Sequence, residues 1–293
     1  MDAIINQFKI TKGAPFSLKE HDPGFSGDYK KDKAINLLEE LGAEMANLQE
    51  EMYALNKNSL LIIFQAMDAA GKDSAIGHTM SGLNPQGCQV YSFKQPSAEE
   101  LDHDFIWRHY KALPERGRVG IHNRSHYENV LVCKVHPEYV LNEGIAGVES
   151  LKDINAAFWE KRFESIRDFE KHLSRNGTVV IKFFLNVSKE EQKKRFLERI
   201  DQPLKNWKFS SADIDERQKW DQYMIAYEEA IKATTEEHAP WYVVPADKKW
   251  FTRIAISRII VDTFKEMNMK LPELSEAEKA RLEECRKRLT DEK

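Results

Sequence analysis

One stretch limits what this chain can fold into more than any other: "LLIIFQAMDAAGKDSAI", residues 60–76. Leu60 to Phe64 is an unbroken apolar, β-prone run, the pattern of a strand covered on both faces. From Asp73 onward the residues read as a helix. A strand feeding a helix through a short loop is half of a β–α–β unit, and the Gly71-Lys72 pair falls at that turn. Backbone amides and a helix N-terminus converge on anions at such a place. The usual phosphate-loop pattern is glycine, four residues, Gly-Lys and then Ser or Thr. Here Ala66 holds the first glycine position, Asp73 replaces the hydroxyl residue, and Ser74 comes one residue late.

Each departure has a physical reading. Alanine is acceptable at position 66 if the backbone there needs no positive φ. Losing the hydroxyl after Lys72 removes a common magnesium ligand, but Asp68 and Asp73 supply oxygens that suit Mg²⁺. A carboxylate in a phosphate cradle repels its ligand unless a bridging cation turns repulsion into attraction. The expectation is a Mg²⁺-dependent cradle formed by Ala69, Ala70, Gly71, Lys72, Asp73 and Ser74.

The rest of the chain repeats the alternation of strand and helix. Further strands are expected at 89–93, 118–122, 179–185 and 241–244, with helices near 73–83, 98–112, 150–174, 188–200 and 212–237. An amphipathic helix over 32–55 comes first, with Ile35, Leu38, Leu41, Met45, Leu48, Met52 and Leu55 at three- and four-residue spacing. Ser188 and Glu191 form a capping-box pattern at the head of the 188–200 helix. Alternation of this kind predicts an α/β fold, with a parallel five-stranded sheet covered on both faces. Residues 1–31 read as an extended arm, 32–270 as one domain and 271–293 as a charged helical tail.

Composition bounds the function. With 293 residues, 41% hydrophobic and 31% charged, the chain can bury a sizeable core without staples. No apolar run approaches bilayer length, and the N-terminus lacks a basic region followed by an apolar core, so a cytoplasmic protein is expected. The three cysteines, Cys88, Cys133 and Cys285, show neither a disulfide framework nor zinc spacing. A net charge of −4 argues against broad nucleic-acid binding, yet leaves room for a local basic channel.

Two more stretches carry chemistry. In "GRVGIHNRSHYENVLV", residues 117–132, the segment from Asn123 to Glu128 follows a strand, at the edge where open α/β sheets bind ligands. Arg124 could fork onto phosphate oxygens, and Glu128 could hold a metal or a nucleotide group. Packing is the plainer role for His126 and Tyr127. In "KKRFLERIDQPLKNWKFSSAD", residues 193–213, Arg195 and Arg199 share a helix face beside a basic, proline-containing loop. Arginines beside a mobile loop neutralise a moving phosphoryl group, although a solvated helix face gives the same pattern. No Ser/His/Asp order or metal-spaced histidines appear.

The blocks "QAMDAAGKDS", "LNPQGCQVYSFKQPS", "IWRHYKALPERG", "NRSHYENVLV", "KRFLERIDQPLKNWKFS" and "PWYVVPADKKWFTR" together resemble the family-2 polyphosphate kinases over roughly residues 20–270. The resemblance implies a P-loop kinase fold with a lid near 200–212. It also implies transfer of phosphoryl groups between inorganic polyphosphate and adenine nucleotides, with guanine nucleotides as further candidates, using Mg²⁺ or Mn²⁺ in a homo-oligomer. Lys72 and Asp68 match the loop lysine and aspartate, Arg124 the arginine after the third strand, and Arg195 and Arg199 the lid-helix arginines. Some members carry Asp where this chain has Asn123, which weakens a direct metal role there, while Asp73 and Glu128 remain further metal candidates. Glu128, in place of Asn, resembles the subgroup that phosphorylates both nucleoside mono- and diphosphates. Lys72, Arg116, Arg118, Lys205 and Lys208 are the expected walls of a polyphosphate groove. Two other readings use the same residues: an ATP-dependent nucleoside monophosphate kinase, and a non-catalytic polyphosphate-binding module.

Overall fold

The computed structural model describes residues 3–271 and 274–292, without the side chains of Ala3 and Lys208. Its sheet has strands β1 (Ser59–Gln65), β2 (Cys88–Ser92), β3 (Val119–Asn123), β4 (Thr178–Asn186) and β5 (Trp241–Pro245). The order is β2-β3-β1-β4-β5, with every neighbouring pair parallel. Each expected run lands on its strand to within one residue at either end. All seven residues of β1 are buried, so the central strand shows a solid apolar run rather than alternation.

The helices agree less evenly. A single turn, α1 (Ala3–Asn6), precedes α2 (Ala34–Leu55), which buries Leu41, Met45, Gln49 and Met52 along one face. After β1 comes α3 (Lys72–Ser81). The one helix expected over 98–112 is two single turns, α4 (Ala98–Leu101) and α5 (Trp107–Tyr110). Asp104 explains part of the break, because its side chain accepts from the Ile106 N–H at 2.9 Å and gives the backbone a non-helical partner. Next are α6 (Glu128–Val135) and α7 (Glu138–Leu141). Then α8 (Ala156–Arg175) starts six residues later than expected, where the Asn155 side chain caps the amides of Ala157 and Phe158.

Beyond β4, α9 (Lys189–Asp201) opens at Ser188, whose hydroxyl accepts from the Glu191 N–H at 3.1 Å. Only that half of the expected capping box forms, since the Glu191 carboxylate instead takes the Arg195 Nε at 2.9 Å. A 3₁₀ turn over Pro203–Lys208 leads into α10 (Ala212–Gln218) and α11 (Trp220–Thr234), two helices where one was expected. Following β5, α12 (Lys249–Glu266) was not anticipated at all. It is buried almost all round, so it lacks the one-sided pattern that reveals a helix. The tail helix α13 (Glu276–Thr290) buries none of its residues.

These elements make three layers, with α2, α3 and α12 on one face of the sheet and α6, α8 and α11 on the other. The N-terminal segment closes one open edge. Ile10 donates to the Trp241 carbonyl at 2.8 Å and Val243 to the Phe8 carbonyl at 2.9 Å, so residues 8–10 run antiparallel beside β5. Ile5, Phe8, Phe16 and Leu18 join the same apolar core as the sheet. Among the described residues no helix is long and apolar enough to cross a membrane.

Candidate active site

Parallel strands present their C-terminal ends at one edge, and ligands collect where neighbouring connections leave in opposite directions. Here that point lies between β1, whose connection runs toward β2, and β4, whose connection runs toward β5. A cleft of about 660 Å³ opens there, lined by the loop after β1, the ends of β2 and β3, α9 and the 3₁₀ turn beyond it.

The floor of the cleft is the 66–71 loop. Gly71 takes φ +104°, and a Cβ there would meet only ordinary contact, Arg195 Nη1 at 3.6 Å. Its glycine therefore serves backbone conformation rather than space. Ala66 is not among the described positive-φ residues, so the lost first glycine costs no strain; Ala69, at φ 60°, takes the left-handed conformation instead. Lys72 folds back over the loop, its ammonium donating to the Ala66 carbonyl at 2.7 Å. Burial lowers its pKa, while Asp68 pulls the other way.

Arg124 follows β3 and meets Asp68 across the cleft, Nη2 to Oδ1 at 3.0 Å. Its backbone is also left-handed, at φ 64°, and its N–H donates to the Phe64 carbonyl at the end of β1. Two of the four described non-glycine residues with positive φ thus lie in this one site. Burial disfavours the Arg124 charge, yet Glu128 and Asp68 outweigh it and raise the pKa. Glu128 sits half-buried behind Arg124 and Lys72, its pKa raised by burial against the pull of both cations. Asp73 accepts from Asn123 Nδ2 at 2.9 Å, and Ser74 accepts from Arg253 Nη2 at 2.9 Å.

The two arginines of α9 have different surroundings. Arg199 lines the cleft and faces Asp213 at 3.7 Å. Arg195 is buried, and all five of its N–H donors have protein acceptors. Nη1 serves the carbonyls of Ala69 and Ala70, Nη2 those of Ala246 and Asp247, and Nε the Glu191 carboxylate. Arg195 thus borders the cleft with its guanidinium tied to the phosphate loop and to the loop after β5.

Lys205 is on the cleft wall, whereas the Lys208 side chain lies outside the described residues. Arg116 and Arg118 require a correction. They precede β3, at the opposite edge of the sheet, where Arg116 donates to the Lys57 carbonyl and Arg118 to that of Gln86. Neither lines the cleft. Lys94, Asp213 and Lys249 do, and sequence reasoning missed them. Lys94 follows the end of β2 just as Arg124 follows β3, so the same edge rule would have found it. Lys249 begins the unforeseen α12. Asp213 has a raised pKa, chiefly from burial and then from Asp68, which opposes Arg199.

Among the described residues no three His, Cys, Asp or Glu side chains converge to enclose a metal. Asp68 and Asp73 beside a phosphate cradle fit a hard cation that keeps waters and shares substrate oxygens.

Comparison with known proteins agrees with this geometry. Residues 28–272 match the family described as Polyphosphate kinase 2. An ADP-polyphosphate phosphotransferase of Rhodopseudomonas palustris is 48% identical over 284 residues, 97% of each chain. An AMP/ADP-polyphosphate phosphotransferase of Meiothermus ruber is 39% identical, covering 92% of this chain and 96% of its own. The crystal structure of polyphosphate kinase 2 from Arthrobacter aurescens superposes with a TM-score of 0.84 at 39% identity, covering 95% of both chains. With its sheet order, its phosphate loop and the arginine after β3 all in place, the chain belongs to the polyphosphate kinase 2 family.

Proposed function

We propose that this enzyme moves the terminal phosphoryl group of inorganic polyphosphate onto ADP and AMP, reversibly and with Mg²⁺ or Mn²⁺. The carrying observation is the convergence of Lys72, Asp68 and Arg124 on a basic cleft in a chain of net charge −4. A narrow cationic channel suits a polyanion of repeating phosphates without making the whole surface basic.

Lys72 bridges donor and acceptor oxygens, and Arg124 and Arg199 neutralise charge on the transferring group. Arg195 keeps the loop in shape. Asp68, with Asp73, would hold the cation, which would supply the positive charge that offsets repulsion between these carboxylates and the phosphates. No protein nucleophile is needed, because in-line transfer depends on positioning and electrostatics. Glu128 supports the dual acceptor. AMP brings one phosphate fewer than ADP, and a carboxylate behind Lys72 and Arg124 supplies the missing negative charge from the protein.

The test is chromatography of AMP, and separately ADP, incubated with polyphosphate and Mg²⁺ and no added ATP. The expected result is ATP from ADP, and ADP then ATP from AMP. ATP from ADP alone would keep the donor and reject AMP. Product only after ATP is supplied would identify an ATP-dependent nucleotide kinase.

A further inference from the structure

Beneath the cleft lies a cluster of buried polar groups that the chemistry above does not use. Lys182 projects from the middle of β4, Glu170 comes from α8, Tyr127 from the turn before α6, and Thr234 from the end of α11. All four are fully buried. The Lys182 ammonium donates to Glu170 Oε2 at 2.5 Å, to the Tyr127 hydroxyl at 3.0 Å and to the Thr234 carbonyl at 2.8 Å, which uses all three of its protons. The Tyr127 hydroxyl in turn donates to Glu170 Oε1 at 2.8 Å.

A buried ion pair is weak support for stability, because well-packed apolar residues of the same volume often do as well or better. What this pair grips is more telling. Tyr127 lies three residues after Arg124 and directly before Glu128, and Arg124 keeps a left-handed backbone that a bulky side chain adopts only when its surroundings dictate it. Tyr127 is thus the fully buried anchor of the short segment that runs from Arg124 to Glu128.

We propose that the Lys182–Glu170 pair, acting through the Tyr127 hydroxyl, is the positioning device that holds Arg124 toward the transferring phosphoryl group and Glu128 behind it. The inference rests on the reading of the cleft as the transfer site. Lys182, Glu170 and Tyr127 touch no substrate and are positioning residues.

Tyr127→Phe removes one hydroxyl and keeps the ring. The expected result is a kcat for ADP reduced about 10- to 100-fold, the scale of a small misplacement of a reacting group. KM for polyphosphate should stay within about threefold, since the donor-side cations are untouched. A crystal structure of the variant should show Arg124 released from the left-handed region or turned from Asp68. The double variant Lys182→Met with Glu170→Leu leaves no buried charge unpaired, and as a folded protein it should still lose kcat. Wild-type kcat in either folded variant, with Arg124 unmoved, would overturn the proposal. If the wild-type protein itself turns over no ADP, the functional reading fails, and the Arg124 geometry of the variant alone decides the positioning claim.

Discussion

At the scale of single residues, the two arginines of α9 have separate duties in the proposed mechanism, one structural and one chemical. Arg195 satisfies four backbone carbonyls that tie the phosphate loop to the loop after β5. Lysine offers three donors without the planar fork, so Arg195→Lys should lower the unfolding free energy by about 2–3 kcal/mol, measured by urea denaturation. Arg199→Gln removes a 3.7 Å contact to Asp213 and a cation–π contact over the Phe196 ring, both made by a partly exposed side chain. It should change stability by less than about 1 kcal/mol while reducing turnover. Equal stability losses in the two variants would contradict this division. The sequence showed that both arginines share a helix face, but not that the buried one would be claimed by carbonyls from two other loops. Arg116 and Arg118 were misjudged for a related reason: a run of residues shows that a strand is near, and the ligand edge is the end the chain reaches last. Lys72, Asp68 and Arg124 were legible because the loop and the strand end that carry them are local patterns.

At the scale of elements, the sheet was readable from its apolar runs, and the helices only where one face stays wet. The buried α12 hid for want of a polar face, while α4 and α5 read as one helix because the Asp104 contact that contributes to the break leaves the pattern intact. The β3 strand delivers Asn123 and Arg124, and it passes close under Pro114. A Cβ built at Gly120 would lie 2.8 Å from Pro114 Cδ and 3.0 Å from its Cγ. The rigid ring has little room to yield, so Gly120→Ala should destabilise by about 1–3 kcal/mol, an overpacking cost readable as a lowered urea midpoint. An unchanged midpoint would mean that the 112–118 loop moves freely, and with it the frame that sets Arg124.

At the scale of the whole molecule, stability and chemistry depend on different charges. The buried His122 has its pKa pushed down to about 4, chiefly by desolvation, and that of His109 lies well below its ordinary value for the same reason. The unfolded chain binds these protons near pH 6.5, whereas the folded chain resists them until far lower. Their contribution is therefore complete above pH 6.5 and drains away as the pH falls toward 4. Each should remove up to about 1.4 kcal/mol per pH unit across that window, and urea midpoints taken from neutral pH downward should fall accordingly. A flat profile would contradict the burial of the pair. In the proposed mechanism, by contrast, catalysis hinges on Lys72. The most direct measurement is the rate of ATP formation from ADP and polyphosphate by Lys72→Ala, beside its melting curve. The account predicts a loss of about 10²–10³-fold or more, the scale of removing one preorganised electrostatic contact, with the melting temperature held. Near-normal turnover in the folded variant would show that the phosphoryl group is transferred elsewhere.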